Sequence, residues 1–113
     1  MNVKRKGSDG ERELVELLRS AGINAHRNDQ MYTGGKNNPD VYAEINGQPL
    51  HIEVKRVERL NILDAMKQAI SDAAAETFPV VVHRKNRSQW LITMPLTEWL
   101  RFEGISTQGR GNG

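Results

Sequence analysis

Three side chains near the middle of the 113-residue chain have types and spacing suited to phosphate-ester chemistry: Asp40, Glu53 and Lys55. Asp40 follows Pro39, and Glu53 and Lys55 stand two apart in His51-Ile52-Glu53-Val54-Lys55. Two neighbouring carboxylates can share a hard cation such as Mg²⁺, which takes oxygen ligands. Such an ion lowers the pKa of a bound water and offsets phosphate charge. An ammonium beside the pair can orient that water or stabilise a pentacovalent transition state. An ordinary solvated sheet face with a cross-strand ion pair has the same composition, so spacing alone leaves both readings open.

The elements around these residues bear on the choice. Val41-Tyr42-Ala43-Glu44-Ile45 and Gln48-Pro49-Leu50 flank Asn46-Gly47. Asn-Gly between alternating runs signals a type I′ hairpin, which needs positive φ at both central residues. Taking these two as the loop sets Ile45 opposite Gln48, and counting outward brings Asp40 opposite Glu53. Directly opposed side chains have Cβ atoms about 4.5–5.5 Å apart, and like charges there are destabilising unless neutralised. Alternation turns Leu50, Ile52 and Val54 to one face and His51, Glu53 and Lys55 to the other.

Upstream, Ser8-Asp9-Gly10-Glu11 has the pattern of a capping box, predicting a first helix from Ser8 to Gly22. Leu14, Leu17, Leu18 and Ala21 form its apolar stripe, with Val15 at the margin. Glu11 projects from the edge of that stripe, as a cap or as part of a site beneath the helix; Glu13 and Glu16 do not. Ile23 to Arg27 reads as a short strand, and residues 28–38, with Gly34-Gly35, as a mobile loop leading into Asp40. Tyr32 and Thr33 in that loop are possible ligand contacts or plain surface residues.

After the hairpin, Asn61 is expected to cap a second helix whose stripe is Ile62, Met66, Ala69, Ile70 and Ala73. Gln68, beside that stripe, either reaches the site or faces solvent. Pro79 to His83 fits a buried strand, Gln89 to Met94 the next, and Pro95 to Phe102 a short helix, with Trp90 and Trp99 as packing residues. Residues 1–103 are read as one domain and 104–113 as a flexible tail.

Composition narrows the class. Hydrophobic residues make up 37% and charged residues 27%, ordinary for a globular chain, so one core is expected. There is no cysteine, which excludes disulfides and thiolate zinc sites, and the three histidines are scattered. No apolar run approaches a membrane span and the first residues lack a signal core, so a cytoplasmic location is expected. Net charge is only +2, yet basic residues cluster at Lys4-Arg5-Lys6, at Lys55-Arg56 with Arg59, and at Arg84-Lys85 with Arg87. Clusters of this kind suit phosphate binding, although a solvated surface carries them equally well.

The order αβββαββα, with Pro39-Asp40 and Glu53-Val54-Lys55 set around a hairpin, resembles the PD-(D/E)XK nuclease superfamily. Lys6-Gly7-Ser8-Asp9-Gly10-Glu11-Arg12-Glu13-Leu14-Val15 is similar to the opening of archaeal and phage Holliday-junction resolvases, and the resemblance spans residues 4 to 94. It implies an α/β, restriction-endonuclease-like fold with a central mixed sheet flanked by helices. By the same resemblance Asp40 and Glu53 hold Mg²⁺ (with Mn²⁺ as substitute), the Val54 carbonyl completes the shell, and Lys55 assists the attacking water. Glu11 would bind the metal directly or through water rather than close a cap, and Arg12 and Arg27 would contact phosphate. Lys4, Arg5, Lys6, Lys36, Arg56 and Arg59 extend the expected DNA surface. The implied activity is metal-dependent hydrolysis of branched DNA, above all resolution of Holliday junctions by a homodimer making paired cuts. Another phage replication or repair nuclease of the same fold (flap-cutting, nicking or virus-type) is the alternative, and a catalytically silent DNA-binding module is a reading from a different class. The second half diverges from the archaeal resolvases, so their dimer surface does not carry over.

Overall fold

A tight reversal at Asn46-Gly47 sets the centre of the fold. Both residues have positive φ, 53° and 78°, as a type I′ turn requires. The turn joins β2 (Val41–Ile45) to β3 (Gln48–Arg56) with Ile45 opposite Gln48 and Val41 opposite Ile52, the register expected from the dipeptide. The computed structural model describes residues 3–27 and 38–106, with the side chains of residues 3–7 left aside.

The remaining elements are α1 (Val3–Ser20), β1 (Asn24–Arg27), α2 (Ile62–Asp72), β4 (Phe78–Arg84), β5 (Leu91–Thr93) and α3 (Leu96–Phe102). The five strands form one mixed sheet in sequence order, antiparallel except for the β3–β4 pair. The connection between those two parallel strands runs through α2, as a parallel crossover must. The chain thus adopts the α/β, restriction-endonuclease-like arrangement implied by its element order.

Each sheet face has its own core. On one, Leu14 and Val15 of α1 join Ala25, Val41, Ala43, Leu50, Ile52, Val54, Phe78, Val80 and Val82. On the other, Ala65, Met66 and Ala69 of α2 pack with Val81. Because β3 and β4 are covered on both sides, β3 is buried continuously from Leu50 to Val54, its polar His51 and Glu53 included. The face carrying Glu53 is therefore not the solvated one that alternation suggested. A helix covers it, and alternation cannot foresee a cover.

Other expectations are corrected. Helix α1 begins at Val3, not at Ser8, so no capping box forms there. The stripe of α1 is rotated by one position: Val15 is buried and Leu17 is half exposed, because Leu14, Val15 and Leu18 are the side chains that reach the sheet. On α2, Ile70 is exposed while Ala65 is buried, since Ala65, Met66 and Ala69 pack with Val81, with Ile62 partly buried against them. Strand β5 is only three residues long, and Trp99 stays half exposed instead of packing into the core. Asn61 caps α2 as expected, its side chain accepting the Asp64 N–H at 3.1 Å. Gly22, at φ 86°, follows the end of α1.

Candidate active site

The hairpin delivers its two acids to one place. Asp40 sits one residue before β2, and its Oδ2 accepts the Val54 backbone N–H at 2.9 Å. That bond pins its carboxyl against β3, where the charge of Glu53 acts on it. Burial pushes the Asp40 pKa from 3.8 up to about 6, and the charges of Glu53 and Glu11 push the same way against the Val54 N–H. The two acids, held together in a partly buried setting, repel one another.

Glu53 is 5% exposed, and one of its oxygens is already engaged: His51 Nε2 lies 2.8 Å from Oε2. These residues are two apart on β3, so both project from the same face, and His51 is just as buried. His51 reads in the sequence as one of three scattered histidines; its i, i+2 spacing to Glu53 becomes a contact because both are buried on one face. Lys55 continues the series on that face, opposite His83, and makes no hydrogen bond or ion pair among the described residues. His83 bonds Thr93 Oγ1 at 2.9 Å, and burial lowers its pKa.

Helix α1 closes the site from the other side of the sheet. Gly10 is buried against β3, and a Cβ there would lie 3.2 Å from the Arg56 Cβ. A glycine inside a helix is costly, so its presence marks close approach of the two backbones. The next residue, Glu11, accepts from Arg27 Nε at 3.1 Å, and Arg27 also donates to Ser8 Oγ at 2.9 Å. Ser8 and Glu11, which have the spacing of a capping box, instead hold one guanidinium between them. Glu11 still bears electrostatically on Asp40. Glu13, expected to face away, is the hub of a second network. It accepts from Arg84 at 2.9 and 3.2 Å and from Trp90 Nε1 at 3.2 Å, with Arg56 at 3.9 Å.

These pairings sort the basic residues. Arg27 is tethered by Glu11 at 3.1 Å, whereas Arg56 stands in a loose 3.9 Å pair with Glu13, Arg12 is exposed in a 3.7 Å pair with Asp9, and Arg59 is exposed. Gln68 lies on the exposed side of α2. The side chains of Lys4, Arg5 and Lys6, and Tyr32, Thr33 and Lys36 entirely, lie outside the described residues. Among the described residues no group of three or more His, Asp or Glu side chains is gathered as a ready metal cage. The donor set is the Asp40–Glu53 pair, whose hard oxygens and mutual repulsion fit a small divalent cation.

The profile of a family described as "Phage putative PDDEXK endonuclease" matches residues 2–108. Among solved structures, the fold superposes with a TM-score of 0.62 on Hjc of Archaeoglobus fulgidus, described as a Holliday junction resolvase from an archaeal hyperthermophile. Identity is 26%, over 78% of this chain and 76% of that one. Among curated proteins no relative matches.

Proposed function

This chain belongs to the phage PD-(D/E)XK endonuclease family, and from that premise we propose that it cuts branched DNA, four-way junctions above all, with Mg²⁺ as cofactor. The observation that carries the catalytic part is the Asp40–Glu53 pair, set side by side by the hairpin and repelling one another. Asp40, Glu53 and the Val54 carbonyl are the ligands, with Mn²⁺ able to substitute and Glu11 supplying a further carboxylate directly or through water. When bound, the ion supplies an acidified water and offsets phosphate charge. Asp40 is kept in place by the Val54 N–H, and Glu53 by His51. Lys55, on the same face and with no acid of its own among the described residues, orients the attacking water and stabilises charge growing on the phosphoryl oxygens. Burial of Glu53 at the covered sheet centre makes these interactions stronger than they would be in water.

The junction preference rests on the likeness to the archaeal resolvase. Paired cuts in a four-way junction call for two sites related by a two-fold axis, hence a homodimer. An apolar groove lined by Ile45, Leu50, Met94 and Phe102, with Ile92, Leu96 and Trp99 exposed around it, supports a second copy as its cover. Arg12, Arg56 and Arg59, with the basic residues at 4–6 and Lys36, are the proposed phosphate contacts, while Arg27 acts from its tether to Glu11. No helix among the described residues is long and apolar enough to cross a membrane, and the proposed place of action is the host cytoplasm. A flap-cutting or nicking nuclease of the same family is the second reading.

Cleavage of four-way, flap and linear duplex DNA, with Mg²⁺ against EDTA, tests the proposal. Preferred cutting of the four-way substrate, lost with EDTA and in Asp40→Asn, is expected. Equal cutting of all three would remove the junction preference, and metal-independent cutting would remove the site.

A further inference from the structure

Glu53 presents a problem that its own ligand role does not solve. A carboxylate 5% exposed, at the centre of a sheet covered on both faces, has two oxygens and a rotatable terminal torsion. Left to itself it could turn either oxygen toward Asp40, and an ion bound there would have to order it first. His51 removes that freedom. Its Nε2 lies 2.8 Å from Oε2 of Glu53, and both side chains are almost wholly enclosed. An ionised carboxylate only accepts, so the contact requires the proton on Nε2.

The imidazole is itself held in a row across the sheet. His51 stands opposite Tyr42, and Tyr42 opposite His26, whose rings meet at 5.1 Å between centroids. On the other side His51 registers with Pro79 of β4. His51 is 3% exposed, so its imidazole is enclosed where it meets Glu53; Oε2 is engaged by it and Oε1 is left for the cation.

We propose that His51 is a positioning residue that fixes the Glu53 carboxylate and thereby sets the metal affinity of the site. It touches neither substrate nor ion. Hydrogen bonds to ligating carboxylates of this kind commonly govern affinity or activity by about 10–100-fold. The inference rests on the metal-site reading above, but it makes a separate demand on the protein.

Calorimetric titration of the free protein with Mn²⁺, without DNA, is the direct test. His51→Phe, which fills the space without a donor, should bind Mn²⁺ about 10–100-fold more weakly. His51→Gln, which places an N–H close to the same position, should recover most of that loss. Cleavage by His51→Phe should show a raised Mn²⁺ requirement, with kcat at saturating metal much less affected than the metal concentration giving half rate. Imidazole ¹⁵N resonances of the wild-type protein provide a readout that does not depend on the variants folding: His51 should carry its proton on Nε2 and shift when Mg²⁺ is added. Wild-type affinity in His51→Phe, or a bare Nε2 in the wild type, overturns the role of His51 while leaving the metal site standing. A wild-type protein that binds no Mn²⁺ overturns both.

Discussion

Replacing Asp40 by Asn removes one charge from the acid pair while keeping the shape and an oxygen for the Val54 N–H. The fold raises the Asp40 pKa from 3.8 to about 6, chiefly through burial. A carboxyl with a folded pKa above its unfolded one binds its proton more tightly when native, so stability falls as pH rises through that window. The penalty is absent below about pH 4 and complete above about pH 6. A shift of roughly two units corresponds to about 3 kcal/mol, and partial contact with solvent reduces the expected effect to about 1–3 kcal/mol. In EDTA at neutral pH, Asp40→Asn should therefore be more stable than the wild type by that amount, and the gap should close near pH 4. Added Mg²⁺ should reverse the order, since binding to the native state alone stabilises it. Urea unfolding followed by circular dichroism at the two pH values, with and without Mg²⁺, measures all of this. A variant less stable than the wild type in EDTA at neutral pH would refute the reasoning, because it would mean that the ionised Asp40 is already well compensated.

Other outcomes follow from the same contacts. Lys55→Ala should lower kcat by about 100-fold or more, with Mn²⁺ affinity in calorimetry nearly unchanged and stability within about 0.5 kcal/mol of wild type. Gly10→Ala should lose about 1 kcal/mol in thermal melts, because the crowding of the 3.2 Å approach to Arg56 outweighs the gain in helix propensity. Leu96→Glu, at a 70% exposed position on the rim of the apolar groove, should leave the melting temperature nearly unchanged and shift light-scattering mass from dimer to monomer. A dimer that survives the charge would place the contact elsewhere.

The two networks of α1 bear on how the basic residues should be read. Arg84 is bidentate to Glu13, the stronger form of such a pair, and stacks 5.4 Å from the Trp90 ring centre. Its task is to fasten α1 to β4 and the start of β5, across more than 70 residues of sequence. Arg27 likewise holds α1 to β1 through Glu11 and Ser8. Arg84, placed in a basic cluster by composition, and Arg27, a phosphate contact by resemblance, thus also fasten α1 to the sheet. Glu11 on that helix raises the Asp40 pKa.

Sequence by itself determined what depends on neighbours along the chain. Asn46-Gly47 dictates a turn that matches strand twist, and the turn alone sets the β2–β3 register that brings Asp40 to Glu53. Asn61 caps α2 by the same kind of local bond, and the element order followed from periodicity. Only the tertiary structure decided the start of α1, because Ser8 is claimed by Arg27, 19 residues away, rather than by its own helix. It also decided that Glu53 and His51 are buried together, since alternation assigns a residue to a face but says nothing of what covers that face. The partners of Glu13 lie on strands and turns far along the chain, and no local pattern encodes them. Short-range geometry is written in residue type; burial and long-range charge pairing arise when separate segments meet.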